Sequence, residues 1–427
     1  MAQDPDNAPA AQNDPGAQND PRADIGDERA GMPLADVRVI EMGQLLAGPF
    51  CGQLLGDFGA DVIKIEQPDV GDPLRDWGQA KAAGNSLWWP VVGRNKRTIT
   101  LNLRSQDGQR LVRELVAHAD VLLENFRPGT LERWGLGPEE LWKINPRLVV
   151  TRVSGYGQTG PYSSRAGFGS IGEAMGGLRY VTGDPSTPPS RAGISIGDEL
   201  AAVFACIGTL VALHHRDRTG VGQVVDSAIY EAVLGMMESL VTEWDVAGYV
   251  RERTGATLPG VAPSNVYPTR SGAMVLIAAN QDSVFGRLAQ LIGQPELAED
   301  PRFCDHNARG ARMEELDGII ATWTAQHETG ELLESLHDAG IPAGLIYTAK
   351  DMLADPHFAA REAIISIDSP TLGRDLSMQS VFPRLSATPG RVRHVGRERG
   401  EDNEHVYAGL LKLTAAEIAR LKAEGTI

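Results

Sequence analysis

The chain has 427 residues, 42% of them apolar and 22% charged, enough to build a core larger than one typical domain. A formal charge of −16 speaks against a nucleic-acid binder, whose footprint is a basic face. No uninterrupted apolar run approaches the roughly 20 residues that cross a bilayer, so a membrane is not an expected partner either.

Residues 1–31 are rich in Asp, Asn, Gln, Ala and Pro, repeat AQNDP at 11–15 and 17–21, and hold no β-branched residue before Ile25. Such a segment cannot bury enough apolar surface to offset its ordering entropy, and a disordered tail is expected. It has neither the basic start nor the apolar stretch of a signal peptide. Strands are predicted at 37–41, 62–66, 98–103, 121–123 and 148–153. Between them lie a glycine-spaced helical segment at 49–58 and a helix marked by Leu111, Leu115 and Val116. This alternation implies βαβ units and a mostly parallel sheet. A long apolar helix is predicted at 199–215, immediately after Asp198. The texture then changes: 266–268 and 274–278 flank Ser271-Gly272 like a hairpin. The last helix carries a capping box, Thr414 with Glu417, and a stop at Gly425. The expected architecture is α/β. A large Rossmann-like domain takes 32–224 and 346–427, and a smaller α+β domain takes 225–345.

Cys51, Cys206 and Cys304 are far apart in sequence with no CxxC pair, which fits free thiols in a reducing cytoplasm better than disulfides or zinc. GYGQTG at 155–160 fits the dinucleotide pattern, but Pro161, Tyr162, Ser163 and Ser164 follow where a helix must open, so a tight turn is expected. Gly48, Gly52 and Gly56 share one helix face and admit a close neighbour. Asn95, Lys96 and Arg97 stand before a strand, and Asn125, Arg127 and Arg133 follow another. Cations and an amide there hold phosphates or simply form a solvated surface, and the residues alone leave both readings open. Asp198, judged by its position before a helix, reads as an N-cap worth about 1 kcal/mol.

The blocks LAGPF (46–50), LGDFGADVIKIE (55–66), RNKR (94–97), ENFRPG (124–129), GYGQTGP (155–161) and the TG…GD steps ending at Asp198 resemble the family III CoA transferases. That group includes formyl-CoA transferase and carnitine CoA-transferase, and the likeness runs from about residue 33 to the C-terminus. The resemblance implies that Asp198 is the nucleophile. It also implies CoA contacts at Leu45, Ala47, Leu101, Asn125 and Arg133, with Arg104 in place of a phosphate-binding Lys and with Lys96 and Arg97 nearby. Neither a metal nor a permanently bound cofactor is implied; the CoA thioester is a substrate, and the partners are an acyl-CoA, a small carboxylic acid and a second copy of the chain in an interlocked, ring-like homodimer. Leu46 replaces a family Gln, Phe168 a Tyr, and Gln67 a cation, and no glycine-rich flap is recognisable between 255 and 275. These departures disfavour a formyl-CoA/oxalate pairing, and the GYGQTGP stretch with the missing flap resembles members that use succinyl-CoA with small dicarboxylates. Arg191 and Arg179 are candidate anchors for a distal carboxylate. Three rival readings differ at named residues. A racemase needs a second proton-moving group where Phe168 stands, a nicotinamide oxidoreductase would rest on GYGQTG, and a non-catalytic acyl-CoA binder would leave Asp198 as a cap.

Overall fold

The computed structural model describes residues 28–427 apart from Ala83. Most of the expected tail therefore lies outside the described residues. Its last four, 28–31, form a turn whose Arg29 carbonyl accepts the Met32 N–H at 2.9 Å.

Six strands form one sheet: β1 (Arg38–Glu41), β2 (Asp61–Glu66), β3 (Lys96–Thr100), β4 (Val121–Glu124), β5 (Val149–Ser154) and β6 (Val224–Ala228). They are all parallel, in the order β3-β2-β1-β4-β5-β6. The chain winds outward from β1 to β3 and returns to place β4 on the other side of β1. That reversal opens a crevice beyond the carboxyl ends of β1 and β4, where doubly wound sheets bind ligands. The sixth strand was missed in the sequence, and a domain boundary at 225 cuts through it. Val224-Val225-Asp226 is a short, half-exposed edge strand without the apolar run of its neighbours.

Both sheet faces are covered. On one, Leu111, Val112 and Leu115 of α2 (Gln106–Val116) meet Ile63, Ile65 and Leu122, and Val406, Tyr407, Leu421 and Ile427 close the layer from the far end of the chain. On the other, α1 (Ala47–Asp57) and the long α4 (Ile196–Thr219) pack over Val39, Val62 and Val149. By length and composition α4 could cross a membrane, contrary to the sequence expectation. One side of it nevertheless belongs to the core, through Ala201, Ala202, Ala205 and Ala212, and its buried Thr209 hydroxyl is 2.7 Å from that of Thr151 on β5. The opposite side leaves Phe204, Ile207, Leu210 and Val211 exposed, the last at 63%.

A separate core lies between β7 (Ser264–Pro268), β8 (Met274–Ala278) and β9 (Ala343–Leu345), an antiparallel sheet in the order β9-β8-β7, and the helices covering it. The predicted hairpin is present, as is the C-terminal capping box of Thr414 and Glu417. The three cysteines are free thiols, as expected, and packing of α1 on α4 brings Cys206 against the core cluster that holds Cys51.

Alternation in β2 sends Ile63 and Ile65 to the α2 face and Val62 and Lys64 to the α1 face. A buried lysine needs partners. Lys64 Nζ lies 3.1 Å from Glu41 and 2.6 Å from Asp72, and it donates to the Gly43 carbonyl at 2.5 Å. Burial alone would lower the Lys64 ammonium, but Asp72 and Glu41 outweigh it and hold its pKa above the ordinary value. Lys96, fully buried, pairs with Glu41 at 2.9 Å and donates to the Pro49 carbonyl at 2.6 Å. Gly52 of α1 lies directly above this group: a Cβ there would stand 1.8 Å from Glu41 Oε2. Replacing Glu41 by Ala strips both ammonium groups of a counter-charge. The expected loss is about 3–5 kcal/mol in urea unfolding, and a loss under about 1 kcal/mol would show the cluster to be dispensable for stability.

Candidate active site

The crevice beyond β1 and β4 is lined by Gln44, Leu45, Leu46 and Ala47 after β1, Asn125 and Phe126 after β4, and Ser154 and Gly155 at the end of β5. Phe168, Asp198 and Ile229 close it from the α4 side. The loop after β1 is pinned from two directions. The Asn125 side chain accepts the Gln44 N–H and donates to the Gln44 carbonyl, both at 2.8 Å, and Asp72 accepts the Leu45 N–H at 3.1 Å. Leu45 is held at φ 63°, a strained conformation for a side-chain-bearing residue that such pinning sustains. Gly43 and Gly48 leave room for Asn125: a Cβ on either would approach its amide within 3.1–3.3 Å.

Asp198 is not the N-cap expected from the sequence. Helix α4 begins two residues before it, after Ser195, and Asp198 is the third helical residue. The reason is the short helix α3 (Gly169–Met175), which lies against this turn. Its Glu173 accepts the Gly197 N–H at 3.5 Å, so an outside carboxylate meets the start of the helix. One turn back, Gly169 faces the Asp198 carboxylate; a Cβ there would lie 2.2 Å from Oδ2. Among the described residues no donor is hydrogen-bonded to that carboxylate. Burial first, then Glu173 and Glu199, push its pKa up to about 6, against the pull of Arg191. The loop GYGQTG is a turn, as expected. Gly155 and Gly167 run backbone to backbone, with a Cβ on Gly155 falling 2.6 Å from Gly167 Cα.

A second crevice adjoins the first and shares Gln44 and Phe126 with it. It is lined also by Gln67, Leu101, Arg104, Arg127, Thr130 and Trp134. Of the residues singled out in the sequence, Leu45, Ala47, Asn125 and Asp198 therefore meet in one crevice and Leu101 and Arg104 in the next. Arg133 stands exposed beside the second, its guanidinium 2.9 Å from the Thr130 hydroxyl. Lys96 and Arg97 do not fit the phosphate-contacting role expected of them. Both lie at the amino end of β3, away from the crevice; Lys96 points into the protein, and Arg97 pairs with Asp61 at 2.8 Å. Reasoning from sequence missed Gln44, Trp77, Phe126, Trp134 and Glu173. Phe126 sat within a recognised motif, whereas nothing local marks Glu173.

The profile of CoA-transferase family III matches residues 34–403, and the chain belongs to that family and is a CoA transferase. It is 57% identical to the succinyl-CoA–D-citramalate CoA-transferase of Chloroflexus aurantiacus, over 94% of this chain and 100% of that one. To the succinate–glutarate CoA-transferase of Agrobacterium fabrum it is 34% identical, over 88% and 96%. The crystal structure of a CAIB/BAIF family protein from Brucella suis superposes with a TM-score of 0.78 at 35% identity, covering 89% of this chain and 99% of that one.

The gap filled by Gly169 gives a sharp test. Gly169→Ala must displace the Asp198 carboxylate while leaving the helix intact. Transferase turnover is expected to fall about 100-fold with the melting temperature nearly unchanged. Full activity in this variant would show that the carboxylate's place does not matter.

Proposed function

We propose that the protein transfers CoA from succinyl-CoA to a small dicarboxylate, through an anhydride and then a thioester on Asp198. The observation that carries this reading is the unengaged Asp198 carboxylate at the head of α4, in the switch-point crevice of the sheet. The names of the relatives, succinyl-CoA–D-citramalate and succinate–glutarate transferases, support the choice of acids.

An ionised Asp198 attacks the thioester carbonyl, giving an acyl–aspartyl anhydride and CoA thiolate. The thiolate attacks the aspartyl carbonyl, giving aspartyl-CoA and releasing the donor acid. The acceptor carboxylate then attacks aspartyl-CoA, and the expelled thiolate takes the new acyl group and frees Asp198. Each step exchanges one activated acyl bond for another, so no ATP is needed, and one hard transfer is split into easier ones. The first-turn N–H groups of α4 that Glu173 does not take would favour the developing oxyanions. The second crevice suits the nucleotide end of CoA, with Arg104 and Arg127 for phosphate and Phe126 and Trp134 for the base. Arg179 is committed to Glu173 at 3.0 Å, whereas Arg191 makes no ion pair among the described residues and acts on Asp198. Arg191 is thus the better anchor for a distal carboxylate. Phe168 lines the crevice and has no proton to move, which favours transfer over racemisation.

The exposed stripe Phe204, Ile207, Leu210 and Val211 on α4, together with exposed Val241 and Trp244 on the helix Leu240–Ala247, supports association of two copies, which we read as the interlocked homodimer. Sedimentation should give twice the chain mass, and labelled and unlabelled subunits should not exchange within minutes under native conditions.

Incubation with succinyl-CoA, trapping with hydroxylamine and intact mass spectrometry should place an adduct on Asp198 that is absent from Asp198→Ala; a label mapped to another residue would refute the mechanism. Because attack requires the ionised carboxylate, kcat/KM should decline as the pH falls through about 6. Arg191→Ala should raise KM for dicarboxylate acceptors roughly 10- to 100-fold while sparing monocarboxylates. Equal effects on both acceptor classes would remove Arg191 from the anchoring role.

A further inference from the structure

Helix α3 turns two residues of one face, Gly169 and Glu173, four apart, toward the first turn of α4. Gly169 abuts the Asp198 carboxylate, and Glu173 reaches the N–H of Gly197, the residue just before it. Glu173 is only 1% exposed. A carboxylate so deeply buried is costly unless paired, and Arg179, four residues after the end of α3, supplies the partner at 3.0 Å from the other oxygen. Gly197 is fitted to the same contact: a Cβ there would fall 3.0 Å from Glu173 Cγ. The charged groups acting on Asp198 are therefore Glu173 from α3, Glu199 from its own helix and Arg191 from the preceding loop.

We propose that Glu173 is a positioning residue for the transfer reaction: it fixes the first turn of α4 through the Gly197 N–H and holds a second negative charge beside the Asp198 carboxylate. This rests on Asp198 being the nucleophile proposed above. Like charges close together in a partly dry site raise the energy of the ionised pair. Acylation of Asp198 removes one of those charges, so the repulsion is present before attack and gone in the anhydride and the thioester. Glu173 thereby narrows the free-energy gap to both covalent states without touching substrate. Arg179, itself one-quarter exposed, gives the buried Glu173 its counter-charge at 3.0 Å and ties the pair to the surface.

The test is the pH dependence of kcat/KM for succinyl-CoA in the wild type, Glu173→Gln and Glu173→Asp, with the hydroxylamine-trapped adduct measured in each. Glu173→Gln keeps the shape and the acceptor for Gly197 but loses the charge. Its acid limb should move below about 6, with burial and Glu199 still holding it above the ordinary carboxylate range, and kcat at neutral pH should fall. Glu173→Asp keeps the charge but shortens the arm that reaches Gly197; it should retain most of the raised acid limb and lose kcat severalfold. A Glu173→Gln profile that superimposes on the wild type, or an unchanged kcat in Glu173→Asp, overturns the proposal. An adduct on Asp198 together with an unmoved limb would sink only the role of Glu173, whereas a missing adduct in the wild type would sink the Asp198 mechanism itself.

Discussion

Glu41, set between two buried lysines at the end of the central strand, is the interaction on which the site depends. Its carboxylate answers Lys64 from the next strand and Lys96 from the one beyond. Those ammonium groups in turn hold the Gly43 and Pro49 carbonyls, and Asp72, bound to Lys64, takes the Leu45 N–H. The loop that forms the near wall of the crevice is therefore fastened from beneath by charge. Asn125 fastens it from the side, across the point where the strand order reverses. In a sheet covered on both faces, such groups persist only when fully paired, and here the pairing doubles as the scaffold of a ligand site.

The opposite wall is built by the meeting of α3 and α4, and its chemistry follows from what each helix leaves out. Gly169 omits a side chain so that Asp198 has room, and α4 begins early enough that Asp198 is free of capping duty. The carboxylate is left half in the protein, with a negative neighbour in Glu173 and a cation, Arg191, acting on it from the preceding loop. An ionised group so placed is raised in energy without being neutralised, a condition suited to the nucleophilic role proposed for it.

Much of the sheet was legible in the sequence because β-branched runs alternating with helical periodicity carry a local signal. Five of the six strands were placed to within a few residues. The sixth was not, since Val224–Ala228 is an edge strand whose identity comes from pairing with β5. The start of α4 was misplaced for a related reason: Glu173, 24 residues earlier in the chain, meets the Gly197 N–H from another helix. The roles expected of Lys96 and Arg97 failed because charge in a motif does not say which end of a strand it occupies or which way it faces. The nearness of Cys206 to the cluster around Cys51 was likewise invisible until α1 packed on α4.

The sequence by itself determined the family, the parallel α/β core and the aspartate on which the proposed chemistry turns, because these rest on motifs and periodicities that are local and strongly patterned. Only the tertiary structure decided what surrounds that aspartate. Which carboxylates and cations face Asp198, which glycines make room for it and which lysines turn inward are set by packing between segments distant in the chain, and side-chain direction across such contacts leaves no trace in local order.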